Sequence, residues 1–565
     1  MTSVDPYDPD RAYDELIQAM AAKDPTEIAR VANDHAWVLT TYHYELLMRA
    51  LDSLPSEAFS QFDILRLVHP VASVLARSHP HSSCSADSAE PVVLEGRRMN
   101  EHLAKQMIVR RLNGDVKSSL EVAERLDERL ATFVSGGGHG WCPIALFRFQ
   151  LAYTYLLDGQ SERALKSFGT ALQLSELMPG DHVRRDAAIR SAVVHALRGS
   201  RSRALSCLQL ADHQPESPAF FAAFNRTAEN IVVALIDVDR MAPEAGDHVE
   251  ALGLSSPIDE LWPLIALVRA RFELAQGRPM AAMEEVSLAF GSHLWKSDTL
   301  ADDVRIACLT EAFLALGQVG VARTICDEGS GRLPLERLAR VRVLIHEGRL
   351  ADAMRACREL TSSRDIAPAT RAEATILQAW VEFELDGEID PSVARTVSQI
   401  AVIGDQLRVF TTVPEPLIAA VTRAIPEAEA SVLTRILQGL RHAAPRRRRP
   451  RLTASELKVL AELPTSAKTA EIAKRLFVTQ NTVKTQLASI YRKLGVGNRS
   501  DAVAAAVRLG LLDPSSGSDA EPRPGLRPAA IAHTAAGERR VRQRGTRYEN
   551  PAAPGADRQR TGSLS

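Results

Sequence analysis

The sequence predicts an all-α protein: a superhelix of repeated helical hairpins, then a small four-helix domain and a disordered tail. Three observations support this prediction. Ala and Leu are abundant whereas aromatic residues make up only 5% of the chain, a balance that favours helix over sheet. A Gly-x-x-x-x-Ala pattern recurs between Gly159 and Ala353. Basic residues are concentrated towards the C-terminal end, where the apolar spacing is that of short helices.

The repeated unit is clearest over residues 145–172, where small and aromatic residues stand at fixed offsets that return forty residues later. The glycine and alanine of the pattern occur at Gly159/Ala164, Gly199/Ala204, Gly277/Ala282, Gly317/Ala322 and Gly348/Ala353. Gly114 and Gly387 are outlying copies, and a degenerate copy is expected near Asp239 and Ala245. Each glycine would end a first helix in a left-handed cap, and each alanine would let the second helix pack closely. One hairpin cannot bury its own apolar face, so the pattern predicts stacking into a superhelix. An irregular helical bundle is the alternative.

These offsets resemble those of tetratricopeptide-type repeats, although the spacing here is nearer forty residues than the family's roughly thirty-four. Residues 43–68, HYELLMRALDSLPSEAFSQFDILRLV, resemble the start of the helical-repeat region of large MalT-like regulators. Those regulators also carry an ATPase module, but the chain contains no G-x-x-x-x-G-K-[ST] motif. The resemblance therefore implies that architecture without its ATP-driven part.

Composition and motifs favour neither catalytic nor cofactor-binding chemistry. No apolar run reaches the length of about eighteen residues that a membrane span needs, and the acidic N-terminus lacks the apolar segment of a secretory signal. The six cysteines form no C-x-x-C pair and the fifteen histidines no metal-ligand spacing. We therefore expect no metal and no cofactor, and we expect the cysteines to be buried in a reducing cytoplasm. The glycine-rich residues 135–143 could cradle a phosphate, but a flexible joint is the expected interpretation, since no strand precedes them.

Basic and acidic residues are unevenly distributed along the chain. Residues 446–512 carry 14 Lys or Arg against 4 Asp or Glu, whereas residues 1–445 carry 45 against 60. This division suggests a basic module for a polyanion, joined to a large acidic body. The predicted organisation is a repeat region over residues 1–440, a Pro/Arg-rich linker over 441–451, the basic module over 452–513 and a disordered basic tail over 514–565.

The basic module has the spacing of four short helices. LTASELKVLAEL predicts a first helix that Thr453 or Ser455 can cap. Its expected apolar stripe consists of Leu457, Leu460 and Leu463. A second helix is predicted over residues 469–476, and a fourth over residues 499–510.

The third helix is predicted to begin after a capping Thr479 and to end at Leu494. On a helical wheel, Leu487, Ile490 and Leu494 all lie within about 40° of Val483. The opposite side carries Asn481, Lys484, Thr485, Ala488 and Arg492. This side has cations, short polar groups and one methyl group, but no bulky apolar residue and no acid. Such a face suits entry into the DNA major groove, and a solvated basic face of a structural helix is the alternative.

The motifs LTASE…EIAKRLFVTQNTVKTQL…IYRKLGVGNRSDAV…GLL, over residues 452–512, resemble the LuxR-type helix-turn-helix domain. The resemblance implies that residues 469–488 form the helix-turn-helix and that the third helix reads DNA. The implied base-facing residues are Lys484, Thr485 and Ala488. The residues expected at phosphates or flanks are Thr479, Gln480, Asn481, Thr482, Gln486 and Arg492. The expected core of the motif is Ile472, Ala473, Leu476, Val483, Leu487, Ile490 and Leu494.

Three residues depart from the usual pattern of that family. Ser455 replaces an Arg in the first helix, Gln486 replaces a His, and Ala488 is shorter than the residue in many relatives. Gln486 can still donate and accept hydrogen bonds. The departures therefore concern the preferred operator sequence rather than DNA binding itself.

Two further features flank the reading helix. PRRRRPR, over residues 445–451, is expected to contact phosphates or the minor groove, and a solvated linker is the alternative. The arginines expected to make these contacts are Arg446, Arg447, Arg448 and Arg449. The fourth helix carries a stripe of small or apolar residues, Ala502, Ala505, Ala506 and Leu509. In the LuxR family this helix commonly makes the dimer contact, and packing inside the domain is the equal alternative.

These patterns predict a cytoplasmic, bacterial-type transcription regulator that catalyses no reaction. The expected partners are double-stranded DNA, bound as a homodimer, and an effector or a protein partner sensed by the repeats. RNA polymerase or a regulatory protein or peptide is a candidate partner, and no membrane is expected. The alternative is a helical-repeat scaffold whose C-terminal domain only dimerises or tethers. An enzyme and a phosphorelay receiver are disfavoured, because neither a catalytic cluster nor a βα alternation is found.

Overall fold

The computed structural model describes residues 8–55, 58, 96–135, 143–176, 182–217, 219–253, 259–362, 366–443, 454–464, 469–476, 478–494, 499 and 502–503. The chain divides into two compact units, Met1–Arg446 and Arg447–Ser565. All regular elements in the described ranges are helical, which confirms the all-α prediction. Within the same ranges, no helix has both the length and the apolarity needed to cross a bilayer. The predicted joint at residues 136–142, the linker residues 444–451 and the tail 514–565 lie outside the described residues.

The helices of the first unit occur mostly as pairs of neighbours along the chain. Four helices come first: α1 (Pro9–Ala22), α2 (Pro25–Asp34), α3 (Ala36–Tyr42) and α4 (Tyr44–Asp52). The pairs that follow are α5/α6 (Gly96–Leu112, Val116–Ser135), α7/α8 (Ile144–Leu157, Ser161–Ser175), α9/α10 (Val183–Leu197, Arg201–Asp212), α11/α12 (Ala219–Asp239, Ala245–Ala251), α13/α14 (Trp262–Ala275, Pro279–Ser292), α15/α16 (Leu300–Ala315, Val319–Asp327), α17/α18 (Pro334–His346, Leu350–Ser362) and α19/α20 (Pro368–Asp386, Pro391–Ile403). A 3-10 helix (Leu407–Thr411), α21 (Glu415–Ala424) and α22 (Glu427–Ala443) complete the unit. The two helices of each pair pack together, and successive pairs stack.

The turn inside each hairpin contains a residue with positive φ. At Gly159, with φ +86°, the N–H donates to the Leu156 carbonyl at 2.9 Å, and the next N–H donates to the Tyr155 carbonyl at 2.8 Å. This left-handed cap favours glycine because it has no Cβ to clash. Every predicted hairpin glycine has positive φ: Gly114, Gly159, Gly199, Gly277, Gly317, Gly348 and Gly387. In the degenerate copy, Met241 adopts the same conformation with φ +56°.

In the hairpins, the first helix is more deeply buried than the second helix. The first helix α15 buries residues on all its sides, including Asp302 and Asp303, whereas the second helix α10 buries only Ala204 and Ala211. The alanine five residues after each glycine faces the first helix. Its exposed fraction is 0% at Ala164, Ala204, Ala322 and Ala353 and 1% at Ala282. The close packing that the Gly-x-x-x-x-Ala pattern predicts is therefore present.

Successive turns of the superhelix touch each other. Among the described residues, four ion pairs join residues that are 169 to 181 positions apart in the chain. They are Lys296 with Asp115 at 2.6 Å, Lys117 with Asp298 at 2.9 Å, Arg332 with Asp158 at 3.4 Å and Arg408 with Asp239 at 2.9 Å. Because the spacing is nearly constant, each turn takes nearly the same length of chain. The stacked pairs therefore wind as a superhelix, as predicted.

A cluster of buried ion pairs lies between the first helices of several hairpins. The Arg408 side chain is 2% exposed and donates from Nε to Asp239 at 2.9 Å. Its Nη atoms lie 3.5 Å from Glu311 and 3.6 Å from Glu373. Burial alone raises the pKa of Glu373, but the guanidinium groups of Arg342 and Arg408 outweigh that effect and hold the pKa below its usual value. One guanidinium is thus surrounded by carboxylates from three different helices.

Four cysteines lie in the described residues. Cys308, Cys326 and Cys357 are buried, whereas Cys207 is only partly buried. The expectation of burial is therefore right for three of these four and wrong for Cys207, which lies on an outer helix. Burial raises the pKa of Cys308 and of Cys357 to about 12, so both thiols stay protonated at neutral pH.

Candidate nucleic-acid interface

The second unit contains the described helices α23 (Ala454–Glu462), α24 (Thr469–Arg475) and α25 (Gln480–Leu494). Helix α25 packs against both of the others. The buried core is Val459, Leu460, Leu463, Ile472, Ala473, Val483, Ile490 and Ala502. Leu476 and Leu487 are partly buried against it. The side chain of Leu494 lies outside the described residues.

Helix α23 differs from its prediction at two residues. Leu457 is 39% exposed, whereas Val459 and Leu460 are 1% and 0% exposed. The expected stripe through Leu457 used a strict spacing of three, but the buried side begins at Glu456 and follows the i, i+3, i+4 spacing of a 3.6-residue period. Ser455 is exposed and lies within the helix, so it does not cap it. The other proposed cap, Thr453, lies outside the described residues.

Thr479 caps the start of α25. Its Oγ1 accepts the N–H of Thr482 at 3.2 Å and lies 2.8 Å from the Thr482 hydroxyl. A side-chain oxygen at this position satisfies an N–H that has no partner within the helix. In the preceding turn, the Val478 N–H donates to the Ala473 carbonyl at 3.0 Å. These bonds fix the angle between α24 and α25, where the sequence predicts the turn of the motif.

The side of α25 opposite its buried residues is exposed. Lys484, Thr485 and Ala488 all lie on this exposed side, which we call the reading face. The Thr485 hydroxyl donates to the Asn481 carbonyl at 3.0 Å. Its oxygen therefore remains available to an outside group only as an acceptor.

The predicted flanking residues lie near the start of α25 or outside the described residues. Thr479, Gln480 and Asn481 are exposed, and Thr482 and Gln486 are partly buried. The side chain of Arg492 and all of Arg446, Arg447, Arg448 and Arg449 lie outside the described residues. The structure thus groups the exposed flanking residues at one end of the reading face.

Glu456 is a residue of this unit that the sequence analysis missed. It is 5% exposed and accepts a hydrogen bond from the Ser489 hydroxyl at 2.8 Å. Because Ser489 follows Ala488 on α25, this bond restrains the rotation of the helix that carries the reading face. The available signal was spacing, since Glu456 lies three and four residues before the buried Val459 and Leu460.

The described part of the predicted fourth helix packs inside the domain. Ala502 is 0% exposed and belongs to the core around Val483 and Ile490. The Arg499 guanidinium donates from Nε to the Leu463 carbonyl at 3.1 Å, which joins this segment to the end of α23. Ala502 therefore packs inside the domain, which is the second of the two predicted alternatives. Ala505, Ala506 and Leu509 lie outside the described residues.

The crystal structure of the P58(IPK) TPR domain aligns with 62% of this chain and 98% of its own length, at 13% identity and a TM-score of 0.21. A TM-score this low supports no conclusion about the fold. The repeat architecture is established instead by the paired helices, the left-handed turns and the contacts between superhelical turns.

Named relatives are similar to a short part of this chain. The probable transcriptional regulatory protein NarL of Mycobacterium tuberculosis (strain ATCC 25618 / H37Rv) is 44% identical over 64 residues, which are 11% of this chain and 30% of NarL. The transcriptional regulatory protein LnrK of Bacillus subtilis (strain 168) is 42% identical over 60 residues, or 11% of this chain and 27% of LnrK. The chain therefore spans less than a third of the length of either relative.

A third relative is matched over most of its length. The spore germination protein GerE of Bacillus subtilis (strain 168) is 38% identical over 65 residues, which are 12% of this chain and 88% of GerE. The family model described as "Bacterial regulatory proteins, luxR family" matches residues 450–506, the segment that carries the reading face. Through this segment the chain belongs to the LuxR family of bacterial regulatory proteins.

Proposed function

We propose that this protein is a DNA-binding transcription regulator of the bacterial cytoplasm, and that α25 enters the major groove of promoter DNA. The observation that carries the proposal is the reading face itself, which exposes a lysine, a threonine and an alanine opposite the buried Val483 and Ile490. A helix without bulky side chains on its outer face can approach base edges closely. Membership of the LuxR family supports the same assignment.

Each residue of the reading face has a distinct role in this proposal. Lys484 donates to the O6 and N7 acceptors of guanine or neutralises a phosphate. The Thr485 hydroxyl, whose proton is used within α25, accepts from the amino group of adenine or cytosine. Ala488 offers a methyl contact to thymine.

The flanking residues position the helix rather than read bases. Thr479, Gln480, Asn481, Thr482 and Gln486 contact backbone phosphates near the start of α25, as helix N-termini commonly do. Arg492 and the four consecutive arginines from Arg446 to Arg449 contribute further phosphate contacts. These contacts set the register on the duplex and carry the salt dependence of binding.

We further propose that the protein binds an inverted-repeat operator as a homodimer and that the first unit receives a regulatory protein or peptide. Two-fold symmetry of a protein dimer matches a palindromic site. RNA polymerase is the other candidate partner of the bound protein. In bacteria such a regulator would be located at the nucleoid while bound.

The test begins with genome-wide occupancy of the full-length protein, which identifies the operator. The purified full chain is then titrated with that duplex at two salt concentrations. We expect salt-dependent retardation, and we expect Lys484→Ala to weaken operator binding by about 1–3 kcal/mol. Lys458→Ala is the matched control, because Lys458 is an exposed lysine on α23. Equal affinity of wild type and Lys484→Ala would contradict the groove assignment.

The second candidate function is a helical-repeat scaffold whose second unit only dimerises or tethers. Exposed apolar side chains at hairpin turns of the first unit, such as Leu385 at 53%, favour a partner-binding role for that unit. The same titration separates the two candidates. A full chain that retards no duplex even at low salt would leave the scaffold as the function.

A further inference from the structure

Three hairpin turns of the first unit are covered by the following superhelical turn. At Gly159 and Gly199 an apolar side chain lies directly against the glycine, whereas at Gly114 the backbone of Leu294 does, and the Leu294 side chain is 62% exposed. The contacts pair Gly114 with Leu294, Gly159 with Leu333 and Gly199 with Ala369. At Gly159, an added Cβ would lie 2.6 Å from Leu333 Cδ2, so the approach leaves no room for a side chain. These glycines therefore serve both the cap and the contact between turns.

A cation accompanies the apolar residue. Arg332 lies 3.4 Å from the Asp158 carboxylate through Nη1, and its Nη2 donates to the Asp158 carbonyl at 2.9 Å. Lys296 similarly lies 2.6 Å from Asp115. Because Arg332 immediately precedes Leu333 at the start of α17, one short segment covers both the acid and the glycine of a turn. At Gly159 the covering element is thus a helix start that carries a cation beside an apolar residue. At Gly114 it is the loop before α15, and at Gly199 it is the start of α19, where the Ala369 N–H donates to the Arg198 carbonyl at 3.0 Å.

The corresponding turns later in the chain are not covered by any described residue. An added Cβ would have no described atom within 4 Å at Gly277, Gly317, Gly348 or Gly387. Apolar side chains beside these glycines are exposed to the extent of 57% at Met280, 37% at Leu316, 40% at Val321 and 53% at Leu385. We call this set of turns the open edge. It continues the contact surface that the superhelix forms with itself at the covered turns.

The tripeptide Leu-Asp-Gly occurs once in each environment, at residues 157–159 and 385–387. Both glycines have positive φ and end a first helix. Leu157 is 6% exposed and Leu385 is 53% exposed. Asp158 is fully buried and paired, whereas Asp386 is exposed. The cap bonds differ, since the Gly159 N–H donates to Leu156 and the Gly387 N–H to Phe383, but the same tripeptide in a left-handed turn is covered in one case and exposed in the other.

We propose that the open edge at residues 385–388 is a docking surface for a partner protein that presents a helix start with an arginine or lysine beside a leucine. The covered turn at Gly159 supports this assignment, because it has the same tripeptide and binds such a segment through Arg332 and Leu333. Charge supports it as well, since Asp386 and Glu388 are both exposed carboxylates. The inference deepens the proposed role of the first unit as a receiver of partners.

A second copy of this chain is a less suitable occupant. The starts of α7 and α11, on the opposite edge, already pack against the protein's own N-terminal helices. Trp37 lies 5.3 Å from Phe147 and Tyr44 lies 5.0 Å from Phe221, measured between ring centroids. Head-to-tail stacking of two copies would have to displace α3 and α4.

The chain itself supplies a probe of the required chemistry. A fluorescently labelled peptide of residues 328–346 contains Arg332, Leu333 and α17. We expect it to bind the full-length protein, because the turn it normally covers is occupied while the open edge is not. Leu385→Asp should weaken peptide binding at least tenfold, and Asp386→Lys should do so more strongly at low salt. Anisotropy titration measures both, and circular dichroism checks that the variants fold.

Matched controls keep the result specific. Leu205→Asp alters another exposed leucine, on the outer helix α10, and should leave peptide binding unchanged. A peptide with Arg332→Glu and Leu333→Asp should bind at least tenfold more weakly. Absence of wild-type peptide binding at millimolar concentration, or equal binding by Leu385→Asp, would overturn the proposal. Self-association that Leu385→Asp abolishes, in the absence of peptide binding, would also overturn it and assign the edge to a second copy. DNA affinity is measured separately, so failure here leaves the proposed DNA binding unaffected.

Discussion

Arg408 in the first unit and Lys484 in the second are both cations of helical segments, but their surroundings are opposite. The Arg408 side chain is 2% exposed and has three carboxylates around it. Lys484 is exposed on the reading face. The first unit therefore uses its cation to join helices that are far apart in the chain, whereas the second unit leaves its cation available to a polyanion.

This difference determines what a substitution should change. A buried charge depends on its partner, so removal of one leaves the other uncompensated and lowers the free energy of unfolding. An exposed cation contributes little to folding, so its removal should change only binding. The two units can be followed separately, because all five tryptophans lie in the first unit: Trp37, Trp141, Trp262, Trp295 and Trp380.

The largest effect is expected for Arg408→Met. It removes the cation that Asp239, Glu311 and Glu373 share, although Asp239 keeps Arg271 at 3.1 Å and Glu373 keeps Arg342 at 2.8 Å. The first unit should therefore lose about 3 kcal/mol of stability, the lower end for a broken buried pair. Denaturant unfolding followed by tryptophan fluorescence measures this loss. Arg395→Met is the control, because Arg395 is 51% exposed and lies 3.8 Å from Glu429. A loss below about 1 kcal/mol for Arg408→Met would show that the cluster does not hold the turns together.

A comparison of two glycines sharpens the distinction between covered and open turns. Gly114→Ala and Gly387→Ala both place a Cβ at positive φ, so both carry the same backbone strain. At Gly114 the new Cβ would also lie 2.6 Å from the Leu294 carbonyl carbon, which belongs to backbone that must move. We therefore expect Gly114→Ala to cost about 1–3 kcal/mol more than Gly387→Ala in the same fluorescence assay. Equal costs would mean that the contact between turns adapts freely.

Lys484→Ala should reverse the pattern seen at Arg408. The tryptophan-detected unfolding of the first unit should stay unchanged, while operator binding weakens by about 1–3 kcal/mol. The slope of log affinity against log salt should also fall by about one if Lys484 neutralises a phosphate. Retained binding together with lost stability would contradict the contrast between the two units.

The smallest effect is expected for Ser489→Ala, which removes the hydrogen bond to the buried Glu456. The stability of the second unit should fall by about 1–2 kcal/mol, because Glu456 loses one of its partners. Hydrogen exchange of the α25 amides in the full-length chain measures this change. Ser455→Ala, an exposed serine of α23, is the control. Unchanged exchange in Ser489→Ala would show that this bond does not restrain the reading helix.

The sequence by itself determined the local structure, because helices, caps and left-handed turns depend on residues a few positions apart. Gly159 and its repeats predicted their turns, Thr479 predicted the start of α25, and the apolar spacing of Val483 and Ile490 predicted which side of that helix is buried. Met241 shows the limit of this reasoning, since its left-handed turn was located only through the spacing of neighbouring copies.

Only the tertiary structure decided which of these local features are covered. Contacts such as Arg408 with Asp239 join residues 169 positions apart, and they depend on small rotations that accumulate from hairpin to hairpin. The tripeptide Leu-Asp-Gly by itself does not distinguish Leu157 from Leu385. The exposure of Leu457 and the burial of Glu456 likewise depend on how α25 packs across α23. Burial is a property of neighbours in space, and for these residues the neighbours lie far away in the chain.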